Sequence, residues 1–211
     1  MISKKELALI VLILVVGAVT YTLNPRFLSG VNIVNMANLN GLFGSLAIGV
    51  GLVIISGGIE LSVGSVFALL GVVFLDLFAN VGLHWAVALP IAVGLGLLLG
   101  LIHGLLVTKV GLQPFVVTLC GLLIYRGIAR YYTSDSTMGF GYGADDATLR
   151  WLMSGRTFEV PHTFIAFVII AGVMAVVLHG SVFGRHLFVT GKNEEAARYS
   201  GINTTRVVTA T

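Results

Sequence analysis

Glu60 stands in a run of glycines and hydroxyls, Ser56-Gly57-Gly58-Ile59-Glu60-Leu61-Ser62-Val63-Gly64-Ser65, between two apolar stretches long enough to cross a bilayer. An ionisable side chain beside membrane spans is costly and is read first as functional. A carboxylate there can accept backbone amide bonds, gate a path or contact a polar solute. The first role leads: Glu60 is expected to accept amides of the Leu61–Gly64 turn and so begin the next helix. A second constellation is Asn32, Asn35 and Asn38, whose spacing of three places their amides near one helical face. The segment Phe27–Leu39 is expected to be a short interfacial helix, with a polar strip beside a solute path as the sharper alternative. Arg126 and Arg130 are four apart and share a face. Arg126 either snorkels outward or faces a path through the bundle.

Other chemistries lack their residues. The sequence has no GxxxxGK[ST] nucleotide loop. Gly94-Leu95-Gly96 lies inside a continuous apolar run and does not signal a dinucleotide fold. The five histidines, His84, His103, His162, His179 and His186, show no metal spacing and are expected to be interfacial or packed. Cys120 is the single cysteine, so no internal disulfide forms. No serine, histidine and acid grouping marks a nucleophile. An enzyme is therefore not expected, and this chain is expected to bind no cofactor of its own.

The hydrophilic stretch Gly191 to Ile202 reads as a short capped helix. Asn193 caps it, Glu194 and Glu195 complement the positive end of its dipole, and Arg198 the negative end. Gly201 suits the left-handed position beyond the last turn. Two turns are not stable alone in water, so this helix needs a surface to dock on.

The elements that must position these groups follow from composition. Of 211 residues 57% are hydrophobic and 10% charged, whereas a soluble domain carries about 25% charged residues. The net charge of +3 is too small to suggest nucleic acid. Six stretches approach the ~20 helical residues needed to cross a bilayer core: Leu7–Leu23, Asn40–Gly58, Leu61–Ala79, His84–Val107, Gln113–Tyr132 and His162–His179. Lipid offers backbone groups no partner, so the spans are helices. The expected fold is an all-α polytopic bundle in a single membrane domain over residues 1–211. Gly96, Gly100 and Gly104, and Gly64, Ala68 and Gly71, are small stripes expected to let helices pack closely.

With the N-terminus inside, the inner segments hold Lys4, Lys5, Lys109, Arg185, Lys192, Arg198 and Arg206. The outer side holds Arg26, Arg126, Arg130, Arg150 and Arg156. That modest bias points the right way. The outer loop Thr133–Pro161 carries Asp135, Asp145, Asp146 and Glu159. Tyr125, Tyr131, Tyr132 and Trp151 are expected in an outer aromatic belt, and Asp76 at an interface.

Gly57-Gly58-Ile59-Glu60-Leu61-Ser62-Val63-Gly64-Ser65 resembles the GGIDLSVGS signature of permease subunits of bacterial ABC importers for ribose, xylose and related monosaccharides. Pro114-Phe115-Val116-Val117-Thr118-Leu119 with Arg126-Gly127 is similar to a further stretch of that family. Gly184-Arg185, Gly191 and Asn193-Glu194-Glu195-Ala196-Ala197-Arg198-Tyr199-Ser200-Gly201-Ile202 resemble its cytoplasmic coupling loop, residues 181–206. Glu60 departs from the aspartate usual in the signature.

The resemblance implies a permease in the bacterial inner membrane, N-terminus cytoplasmic, paired with a second copy or a sister permease. It implies sugar delivery by a periplasmic binding protein and drive from a cytoplasmic ATPase that carries the ATP. Gly191, Asn193 to Arg198, Ser200 and Gly201 would then dock on that ATPase. Asn32, Asn35, Asn38 and Arg126 become candidates for the sugar path. The family has about ten spans, so the chain is expected to lack its C-terminal third and to be poorly stable alone. An ion-coupled secondary transporter of a small polar solute is the alternative. It usually needs ionisable groups at the membrane midplane, whereas Glu60 and Asp76 are expected near span ends.

Overall fold

The computed structural model describes residues 4–139 and 146–211, with the side chains of Lys4 and Lys5 left aside; Asp145 lies outside the described residues. The main elements are α1 (Lys4–Leu23), α2 (Gly30–Ile55), α3 (Val63–Leu75), α4 (Trp85–Thr108), α5 (Pro114–Thr133), α6 (Ala147–Ser154), β1 (Arg156–Thr157), β2 (Val160–Pro161), α7 (His162–Gly180), α8 (Val182–Lys192), α9 (Glu194–Tyr199) and α10 (Thr204–Ala210). A 3₁₀ turn, Pro25–Leu28, joins α1 to α2, and a wider π turn, Asp76–Asn80, extends α3.

Five of these helical runs, beginning with α1, α2, α3, α4 and α7, are long and apolar enough to span a membrane. The fifth predicted span, α5, has 20 residues, but Arg126 and Arg130 reduce its apolar character. Across Glu6–Leu23 no residue is buried. An outward surface of leucine, valine and isoleucine is what a lipid-facing helix requires.

The helices pack in directions that serial crossing demands. Asn38 meets Thr163, Gly41 meets Thr163 and Phe164, and Gly44 meets Phe167, so α2 and α7 run parallel. Ile59 meets Thr118 while Leu69 clusters with Tyr125 and Ala129, so α3 and α5 are also parallel. Gly96 meets Leu70 while Ala88 and Ala92 meet Phe74, which makes α3 and α4 antiparallel. Second with sixth, third with fifth, and third with fourth: each pair has the sense that alternating spans give.

One sequence expectation changes here. Phe27–Leu39 is not a separate interfacial helix. Ser29 caps α2 by accepting the amide of Asn32 at 3.3 Å, and α2 then runs unbroken for 26 residues. Nothing between Leu39 and Gly44 breaks the ladder, because Gly41 is held against the α7 backbone. The loop Thr133–Pro161, expected on the outer side, carries a short helix in its described part. Asp146 accepts the amides of Thr148 and Leu149 at 2.8 and 3.1 Å and so starts α6. Leu149, 2% exposed, then enters a cluster with Phe74, Ala88 and Ala92. His162 fastens this piece to α7, with Nδ1 2.9 Å from the Trp151 carbonyl and Nε2 2.8 Å from the Thr157 hydroxyl.

Candidate functional site

The signature run is a helix stop followed by a helix start. Ser56 ends α2, and Gly57 takes the left-handed conformation at φ +88°. The Gly57 amide donates to the Ile54 carbonyl at 3.0 Å and the Gly58 amide to Val53 at 2.9 Å. This is the double bond of a Schellman cap, which satisfies carbonyls the helix would leave open. The chain then extends through Ile59. The Glu60 carboxylate accepts the backbone amide of Ser62 through Oε1. The same oxygen accepts the Ser62 hydroxyl at 2.6 Å. Ser62, 1% exposed, thus enters α3 with its polar groups satisfied, and the Ser65 hydroxyl donates back to its carbonyl at 2.9 Å.

Glu60 also faces a cavity of about 430 Å³ between the end of α2, α4, the start of α5 and α10. His103 of α4 and Thr118 of α5 line it beside Glu60. Nε2 of His103 lies 2.9 Å from the Tyr125 hydroxyl, and the rings are 5.5 Å apart. The Thr118 hydroxyl, on a residue 4% exposed, is within 2.9 Å of the Pro114 carbonyl and 3.1 Å of the Ile59 carbonyl. It ties the α5 start to the signature turn. Gly96 and Gly104 pack as their stripe predicts, against Leu70 and Thr209. Gly100 does not: open space lies where its Cβ would be, and it lines the cavity. Tyr125 is buried inside the bundle rather than standing in an outer aromatic belt, because its α5 face packs on Leu69. His103, expected among packed or interfacial histidines, is the one that reaches this cavity.

The capped hydrophilic segment forms an arm. Ser181 caps α8 by accepting the Gly184 amide at 3.1 Å, and α8 buries Leu187 and Thr190. Asn193 caps α9 by accepting the Ala196 amide at 2.9 Å. Arg198 donates to Glu194 at 3.1 Å across one turn. A second Schellman pair closes α9, Gly201 to Arg198 at 3.0 Å and Ile202 to Ala197 at 3.1 Å. Ala197 is fully buried toward the rest of the arm, while Glu195, Arg198 and Tyr199 point outward, Tyr199 at 84% exposure. The arm meets the signature turn at Gly191. A Cβ there would stand 1.7 Å from the Ile55 carbonyl oxygen.

The remaining predicted positions lie elsewhere. Asn32 donates to the Phe27 carbonyl at 2.7 Å, and Asn38 accepts from Thr163. Asn35 is exposed beside a smaller cavity of about 290 Å³ at the α1–α2 junction. Arg126 is exposed on α5 and is absent from the linings of both cavities. Arg130 pairs with Asp135. That hydrogen bond holds the Asp135 carboxyl below its ordinary range. Asp76 accepts from Asn80 at 2.7 Å. Glu60, His103 and Thr118 thus border one cavity, while the asparagines and Arg126 are not among its lining residues. His103 and Tyr125 carry no local motif; only a histidine in an apolar span, costly to bury without reason, signalled one of them.

No solved structure gives a significant match to the chain. The ribose import permease protein RbsC of Escherichia coli K12 is 33% identical over 97% of this chain and 62% of its own length. The Bacillus subtilis 168 protein of the same name is 34% identical over 95% of this chain and 60% of its own length. The fructose import permease protein FruF of Bifidobacterium longum NCC 2705 is 31% identical over 90% of this chain and 53% of its own length. The chain therefore spans less than two thirds of the length of these relatives. The resemblance read from three short motifs extends along nearly all of the sequence. A family model also matches residues 32–211, from the first asparagine of α2 through the arm, and by that match the chain belongs to the branched-chain amino acid transport system / permease component family.

Proposed function

We propose that this chain is the membrane-spanning permease subunit of an ATP-driven importer that carries a monosaccharide of the ribose or xylose kind across the bacterial inner membrane. The observation that carries this reading is α9. It is a six-residue helix with both ends capped, a buried Ala197 on one side and a charged, aromatic outer face on the other. So short a helix persists only on a support, and its backbone neighbour Gly191 abuts the turn that holds Glu60. Gly191, Asn193 to Arg198, Ser200 and Gly201 are the docking element for a cytoplasmic ATPase, which binds and hydrolyses ATP on a separate chain. A periplasmic binding protein delivers the sugar, and a second copy or sister permease completes the path. The N-terminus is cytoplasmic.

The family name speaks of amino acids and the relatives' names of ribose and fructose. Sugar is preferred because the similarity to the named sugar permeases covers 90% or more of the chain. The test is a pull-down of the tagged chain from its own membranes together with sugar uptake by the intact cells. An ATPase should co-purify, and uptake should stop when ATP is depleted although the proton gradient is kept. Uptake that instead follows the gradient and ignores ATP selects the ion-coupled carrier.

A further inference from the structure

We propose that the cavity beside Glu60 is a sugar subsite, in which Glu60 and His103 hold the hydroxyls of one monosaccharide ring. This rests on the importer reading above and adds the place where the solute is held. The polar groups come from separate elements and converge. Glu60 uses Oε1 on Ser62; among the described residues Oε2 takes no hydrogen bond. His103 uses Nε2 on Tyr125; among the described residues Nδ1 has no partner. Both residues are half-buried and both line the cavity. A carboxylate oxygen only accepts, whereas an imidazole nitrogen donates or accepts according to tautomer. A hydroxyl does both, so a polyol satisfies either setting of the histidine.

Gly96 and Gly100 lie on the same face of α4 as His103 and, with Leu97, give the cavity an apolar stretch of wall. Such a wall suits the C–H face of a sugar ring. At about 430 Å³ the cavity lies within the ~300–1,000 Å³ common for ligand sites, which combine apolar walls with a few placed polar groups. A metal does not fit as well: among the described residues no three His, Cys, Asp or Glu groups gather. Tyr125 is a positioning residue, since it reaches the site only through the His103 ring.

Gly100 provides a test that does not depend on removing a polar group. Both Gly94 and Gly100 lie on α4 with open space at the Cβ position, but only Gly100 lines the cavity. Gly100→Leu and Gly94→Leu are compared in the transporter with its companion subunits, reading ATP-dependent uptake of labelled D-ribose and D-fructose. Gly100→Leu should cut uptake of the transported sugar by about tenfold or more while Gly94→Leu stays within about twofold. Glu60→Gln keeps an oxygen for Ser62 but removes the charge. It should raise KM by about tenfold, as for a lost hydrogen bond to a charged group, with a smaller effect on the maximal rate.

Tyr125→Phe should change the pH profile of uptake by freeing Nε2. Wild-type uptake with Gly100→Leu and Glu60→Gln both unchanged overturns the subsite and leaves the importer reading standing. A wild-type transporter that shows no ATP-dependent uptake overturns the importer reading and the subsite with it. ATP-dependent uptake of leucine in place of either sugar overturns the polyol assignment.

Discussion

Glu60 shares one oxygen between the amide and the hydroxyl of Ser62, and the same residue lines the cavity, so it serves the turn and borders the open space at once. The first use was legible in sequence, because a residue two places from its partner needs no tertiary information. The second was not. His103 lies in α4 and its partner Tyr125 in α5, and the packing of those helices alone brings the two rings together. Gly57 is the other residue that local rules decide. At φ +88° a Cβ is strained. Gly57→Ala should lower stability by ~1–2 kcal/mol, read as a lower melting temperature in detergent. Thr190 behaves in the opposite sense. Its hydroxyl is buried, on a residue 2% exposed, and has no hydrogen-bond partner among the described residues. Thr190→Val keeps the shape and removes an unmet polar group. It should leave stability unchanged or raise it by up to ~1 kcal/mol in the same measurement.

Among the elements, the long helices were readable from apolar length alone and the short ones only where a cap announced them. Asn193 and Gly201 gave away α9 because both ends carry their own signals. The start of α6 at Asp146 had a cap too, but its purpose, placing Leu149 against Phe74, depends on α3 and α4 being side by side. The break expected near Leu39 failed because three asparagines look polar enough for an interface, yet Asn38 and Gly41 both face α7. The junction of α8 with the end of α2 was invisible, since residues 191 and 55 share no pattern. It predicts that Gly191→Ala forces main chains apart. Overpacking of this kind costs ~1–3 kcal/mol. Uptake should fall more than protein level does, as measured by transport normalised to membrane content. Tyr199→Ala should retain the fold, since that side chain is 84% exposed. It should weaken recovery of the ATPase in a pull-down if α9 is the docking element.

At the scale of the molecule, six crossings were expected; among the described residues five helices are long and apolar enough to span, and the parallel and antiparallel contacts among α2, α3, α4, α5 and α7 have the sense that alternating spans give. The side on which each end lies rests on the placement of lysine and arginine, a statistical bias rather than a contact. Labelling tests it directly. In a chain with Cys120→Ala, Glu195→Cys should resist a membrane-impermeant maleimide in intact cells and react once the inner face is opened. Met153→Cys, on the exposed side of α6, should react in intact cells. The reverse pattern would place α9 on the outer surface and remove the ATPase from the mechanism.

The meeting of Gly191 with the Ile55 carbonyl is a contact between two main chains. Side chains absorb small displacements by changing rotamer, but a peptide unit offers no such slack. A shift of α8 toward α2 is therefore handed to Ile55 without lost motion, and the loop bearing Glu60 begins one residue later. If the arm is moved by an ATPase, as proposed, a link of that stiffness would favour a fixed ratio between its displacement and that of the turn. Its natural failure is jamming rather than slipping.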